Sequence, residues 1–163
     1  MATKLKFALA VAGLGLLLVS RAGGAGSAAV SDSVLTVPLP RAWSGSVGPG
    51  TQLVAGKPHA VAWILVGNFS FPSDAARHEG GPAVPAHKLL ISLGDFVLSR
   101  QSRQWPRVGQ LHLPQLRAGQ RSASWNVRFG GRALRLNVRF GSPPLVAEVA
   151  LTNRVLATVR RER

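Results

Sequence analysis

Cysteine is absent from the 163 residues of this chain, and that one absence closes several routes. It excludes disulfides, a thiol nucleophile, a thiolate metal site and a lipid-modified N-terminal cysteine. Acidic residues are scarce as well: Asp32, Asp74, Glu79, Asp95, Glu148 and Glu162 are the full set. Of these only Asp74 and Glu79 lie near each other, in a segment that reads as loop. Paired carboxylates doing acid–base work need fixed geometry on rigid elements. His59, His78, His87 and His112 show neither H-x-H nor H-x-x-x-H spacing, so no metal site is expected. There is no G-x-S-x-G elbow, and Ser122 and Ser124 belong to a solvated strand face. Gly48–Gly50 and Gly80-Gly81 lack the Lys-Ser/Thr of a phosphate loop. No catalytic residue, metal or cofactor is assigned, and the chain reads as a non-enzyme.

A bilayer-spanning run is also missing. Phe7–Val19 is apolar but shorter than the roughly 20 residues that a membrane helix needs. Lys4 and Lys6 precede it, and small residues follow at Ala22–Ala29, ending in Ser27-Ala28-Ala29 before Val30. That is the order of a secretory signal. Residues 1–29 are expected to form a signal-peptide helix, and cleavage would leave no transmembrane span. The mature chain would then be secreted or periplasmic.

Positive charge is what the chain has in excess. Twenty Lys and Arg against six Asp and Glu leave a formal net charge of +14, most of it arginine. Such a balance favours anionic partners such as acidic polysaccharide, envelope surfaces or nucleic acid. Arg, Ala, Gly and Pro are abundant together, however, as a GC-rich coding sequence would also make them.

The most specific local signal is Gln120–Gly141, QRSASWNVRFGGRALRLNVRFG. A two-residue turn at Gly130-Gly131 places Phe129 opposite Arg132, Val127 opposite Leu134, Trp125 opposite Leu136 and Ala123 opposite Val138. The other face then pairs Arg128 with Ala133, Asn126 with Arg135, Ser124 with Asn137 and Ser122 with Arg139. One face is apolar and the other polar and cationic, the pattern of a half-buried antiparallel sheet. Arg128, Arg135 and Arg139 share the polar face, and with Arg121 and Arg132 nearby they form the candidate cationic patch. Trp105, set among Arg100, Arg103 and Arg107, is a second candidate contact for a ring-shaped ligand.

Elsewhere, Val34–Leu39 alternates and its prolines suggest an edge strand. Ser44–Gly50 reads as turn or linker. His59–Val66 is a continuous apolar run suited to a central strand, with Trp63, like Trp125, a core anchor. Ser70–Ala86 reads as a long exposed loop. His87–Leu93 and Phe96–Arg100 around Gly94-Asp95 suggest a second hairpin. Leu145–Ala150 and Val155–Val159 read as strands about a turn at Thr152-Asn153. Asn68-Phe69-Ser70 is a glycosylation triplet. About eight short strands and no helical periodicity outside the signal argue an all-β sandwich. The division expected is a signal at 1–29, an N-terminal edge strand and linker at 30–56, and a β-sandwich domain at 57–163.

Leu116-Arg117-Ala118-Gly119-Gln120, running into Ala123–Val127, resembles the entry of bacterial CARDB-type, immunoglobulin-like adhesion domains. Val146-Ala147-Glu148 through Asn153 is similar to a later segment of that family, as are Ala60–Asn68 and His87–Val97 to earlier ones. The resemblance covers about 51–159. It implies an immunoglobulin-like antiparallel β-sandwich of seven to eight strands, with Glu148 and Asn153 hydrogen-bonding backbone at turns. An exported binding or adhesion domain is the expected function, with a protein or an anionic polysaccharide or envelope surface as partner. The alternatives are an assembly subunit that pairs through an edge strand and a charge-driven polyanion binder, nucleic acid being the less favoured polyanion.

Overall fold

In a computed structural model that describes residues 28–161 apart from Ser33 and Glu79, the chain forms eight strands and one helix. These are β1 (Ala29–Ser31), β2 (Leu35–Pro38), β3 (Ser44–Val54), β4 (Lys57–Gly67), β5 (Leu89–Phe96), β6 (Ser122–Phe129), β7 (Arg132–Phe140), α1 (Val146–Ala157) and β8 (Arg160–Arg161). The expected signal lies, but for Ala28 and Ala29, outside the described residues.

The β6–β7 hairpin forms in the register that its alternation demands, pair for pair from Ser122↔Arg139 to Phe129↔Arg132. Gly130 and Gly131 take φ of 55° and 83°, the positive values that a primed two-residue turn requires. Around this hairpin the strands make an all-β sandwich of two antiparallel sheets. The larger has the order β3-β4-β5-β7-β6 and the smaller β1-β2-β8. Ile64, Val66, Ile91, Leu93, Leu134, Leu136 and Val138 line the inner face of the larger sheet. Against them pack Leu35 and Val37 of β2, Leu111, Leu113 and the Val155 and Leu156 of α1. Trp125 and Phe129 are half-buried at the margin of this core.

The structure corrects the sequence reading at several points. Residues 44–50 are not a linker: they begin β3, which pairs with β4 over its whole length. Segment 30–56 therefore belongs to the sandwich, because β2 and β3 supply part of its two sheets. Nor is β2 an edge, since it pairs with both β1 and β8. Its Pro38 is tolerated because β8 reaches only Leu35 and Thr36. Gly94-Asp95 is not a turn, and β5 runs straight through it to Phe96. The last segment is helical. Pro143 and Pro144 precede it, and the Leu145 N–H donates to Glu148 Oε2 at 2.7 Å. Val149, Thr152, Val155 and Leu156 recur at helical spacing and face the core. Thr152 spends its hydroxyl on the Glu148 carbonyl (2.8 Å), and Asn153 Oδ1 accepts the Leu113 N–H (2.7 Å), so neither makes a turn. Glu148 and Asn153 do bond backbone as expected, but from a helix.

Asp95 explains why β5 continues. Its side chain points to the inner face, 4% exposed, and accepts a fork of two hydrogen bonds from Arg132 Nε and Nη2, each 2.9 Å. Arg132 thus lies on the inner face and not in the cationic patch. Burial pushes the Asp95 carboxyl above its ordinary value, with the Arg132 fork pulling against that shift, while the same fork raises the guanidinium. The Arg132→Met variant leaves the carboxylate unpaired and should cost about 3–5 kcal/mol in urea unfolding at neutral pH. A raised folded-state pKa means that the native state holds the proton more tightly than the unfolded chain. The loss should therefore shrink as pH falls into the acidic range. Adding Asp95→Leu should restore most of the stability, and an undiminished midpoint in Arg132→Met alone would contradict the ion-pair account.

Candidate binding groove

The register that buries one face of the larger sheet also orders the other. Across the outer face, Gly48, Trp63, Gly94, Arg135 and Asn126 stand in one row from β3 to β6. The next row is Ser46, Leu65, Ser92, Asn137 and Ser124. A third runs through Gly67, Leu90, Arg139 and Ser122. Trp63 is therefore not a core anchor. It projects to the outer face, half-buried, and lines a groove of about 560 Å³.

Glycines shape the floor of this groove. A Cβ at Gly94 would come within 2.8 Å of Cη2 and Cζ3 of Trp63, and one at Gly50 within 3.0 Å of Cδ1 and Nε1. The two ends of the indole thus rest against glycines of β5 and β3, which lays the ring lengthwise across the strands. Phe96 meets Trp63 edge to face, with ring centres 5.5 Å apart, and the Arg135 guanidinium sits 5.4 Å from the Phe96 centroid. Arg135 Nε also donates to Asn126 Oδ1 at 3.2 Å. No described residue bonds its terminal nitrogens.

The Ser70–Ala86 segment supplies one wall. Most of its residues are exposed, as expected of a loop, but it folds down on the outer face, where Phe71, Ala75 and Val84, with Phe69 just before them, cover Leu65 and Leu90. Gly48 makes this approach feasible, since a Cβ there would come within 2.5 Å of the Ala76 carbonyl. Ser46 Oγ donates to the Ser73 carbonyl (2.6 Å) and accepts the Ala76 N–H (3.0 Å). Arg139 Nη2 donates to the Pro82 carbonyl at 3.1 Å, fastening the far end. The wall brings Arg77, His78 and Gly80-Gly81 to the groove opposite Arg135. Three arginines line the groove, and no described acid does. Asp74 stands outside it, exposed, 3.6 Å from His78. Glu79 lies outside the described residues.

Of the arginines singled out in the sequence, Arg135 and Arg139 meet in the groove. Arg128 shares their face but donates from Nε to the Trp105 carbonyl (2.9 Å), stitching residues 105–108 to β6. Arg121 is exposed just before β6, out of phase with Ser122 and Ser124. Trp105 meets an arginine through its carbonyl; the arginine–ring contact among the described residues is Arg135 on Phe96. Arg77 and Trp63 complete the groove and were not singled out as ligand contacts. The described histidines and acids form no group able to hold a metal. Asn68 accepts the Leu89 N–H at 2.8 Å, tying the start of the loop to β5.

The chain matches no known family model, no curated protein and no solved structure.

If glycine at 94 exists to seat the indole, Gly94→Val should cost about 1–3 kcal/mol through overpacking and shift tryptophan emission to the red. Gly109→Ala, at a site with open space around it, should change stability by no more than about 0.5 kcal/mol. Equal effects in the two variants would remove the packing account of the floor.

Proposed function

We propose that the chain is an exported, non-enzymatic binding or adhesion domain of the cell envelope or extracellular space, and that an anionic ligand seats in the outer-face groove. The observation that carries this reading is the concentration of Arg77, Arg135 and Arg139 around one concavity without a described acid among its lining residues. In a chain of net charge +14 that arrangement attracts anions at long range, and the walls focus the field. Edge-strand pairing has less support. Pro49 interrupts the free edge of β3, and residues 106–108 occupy that of β6 at Arg128.

Binding to an anionic polymer such as polygalacturonate should weaken steeply as salt rises from low to physiological concentration. Replacing Arg77 and Arg135 with serine should lower affinity at least tenfold at low salt while leaving the urea midpoint within about 0.5 kcal/mol of the parent. Calorimetric titration measures the affinities, and urea unfolding measures the stability. Salt-independent binding, or an unchanged affinity in the double variant, would place the ligand elsewhere.

A further inference from the structure

The groove carries more than charge. Ser92, Asn137 and Ser124 lie side by side in the middle row, and none of their side chains hydrogen-bonds another described residue. They are reachable hydroxyl and carboxamide groups, donors and acceptors both, with no partner among the described residues to satisfy. Beside them Trp63 offers a broad apolar surface, held down by the glycines of β3 and β5. Two strands along the Trp63 row, past Gly94, is Arg135, whose terminal nitrogens are free among the described residues and whose planar fork matches a carboxylate.

From this combination we infer that the ligand is an acidic oligosaccharide of the uronate type, an inference that rests on the anionic-groove reading above. A pyranose has an apolar C–H face, a rim of hydroxyls and, in a uronic acid, one carboxylate. The groove presents the complement of each in separate places. The indole takes the C–H face, the Ser92–Asn137–Ser124 row takes hydroxyls, and Arg135 takes the carboxylate with Arg77 facing it from the loop. Trp63 and Arg135 are two strand spacings apart, about 10 Å. A stacked sugar ring and the carboxylate of its neighbour cover that span. A bare polyanion makes no use of the neutral row or of the indole. Arg139 acts as a positioning residue, because it holds the loop wall through the Pro82 carbonyl.

Titration of the full chain with three probes tests this: tetragalacturonate, its methyl ester and inorganic polyphosphate. Tetragalacturonate should bind, and the ester, which keeps every ring but loses the charge, should bind at least tenfold more weakly. Trp63→Ala should weaken tetragalacturonate binding at least tenfold and leave any polyphosphate binding unaltered, while Trp63→Phe retains most of it. Asn137→Ala keeps the test decisive if Trp63→Ala lowers the urea midpoint, since Asn137 has no partner within the described protein. It should cost at least threefold against tetragalacturonate and nothing against polyphosphate. If polyphosphate binds as tightly as tetragalacturonate and neither Trp63→Ala nor Asn137→Ala alters the ratio, the sugar inference is overturned and the anionic groove stands. If neither probe binds, the anionic-groove reading falls with it.

Discussion

The pairing register of β5, β7 and β6 is the constraint on which the rest of the structure depends. With Leu136 opposite both Leu93 and Trp125, every second residue of β7 from Leu134 to Phe140 enters the core. A slip of one residue would carry Arg135, Asn137 and Arg139 inward, and burying unpaired charge costs far more than any gain the strands offer. The same register aligns Trp63, Gly94 and Arg135 across three strands on the opposite face. Core and groove are therefore two consequences of one alternation.

Glycine gives the outer face its shape. On a sheet the side chains of adjacent strands normally fill the surface evenly. Here Gly48 lets the loop backbone settle on β3, while Gly50 and Gly94 leave a hollow for the indole. The result is a concavity on that face, walled by Ala76, Arg77, His78, Gly80 and Gly81 and lined by Arg135 and Arg139 of β7. The Asp95–Arg132 fork permits this from the inner face, because it lets a Gly-Asp pair stay inside a continuous strand.

How much of this was legible follows from which signals are local. The β6–β7 hairpin was readable to the residue because period-two alternation and a Gly-Gly turn agree with each other. Arg135 and Arg139 came with it. The remaining groove residues depend on partners distant in sequence. Gly48, Gly50 and Gly94 look like punctuation in one dimension and serve as space in three. Trp63 sits in an apolar run whose two faces cannot be told apart without knowing that β5 carries a glycine beside it. Arg132 reads as one more surface cation until Asp95 is placed under it. The helix Val146–Ala157 is hidden in the sequence because valine and threonine favour strands, and here burial of one helical face overrides that preference. One clue was present: proline at 143 and 144 followed by Glu148 marks a helix start.

The central claim is that the outer face of the five-stranded sheet, not the edges or the general basic surface, meets the ligand. Backbone and indole NMR spectra recorded while tetragalacturonate is added test it most directly. The account predicts that shifts concentrate on Trp63, Ser92, Arg135, Asn137 and the wall residues Arg77, His78, Gly80 and Gly81, with Arg121 and Arg128 little moved. Shifts spread over Arg100, Arg103, Arg107 and Arg121, with Trp63 silent, would contradict it.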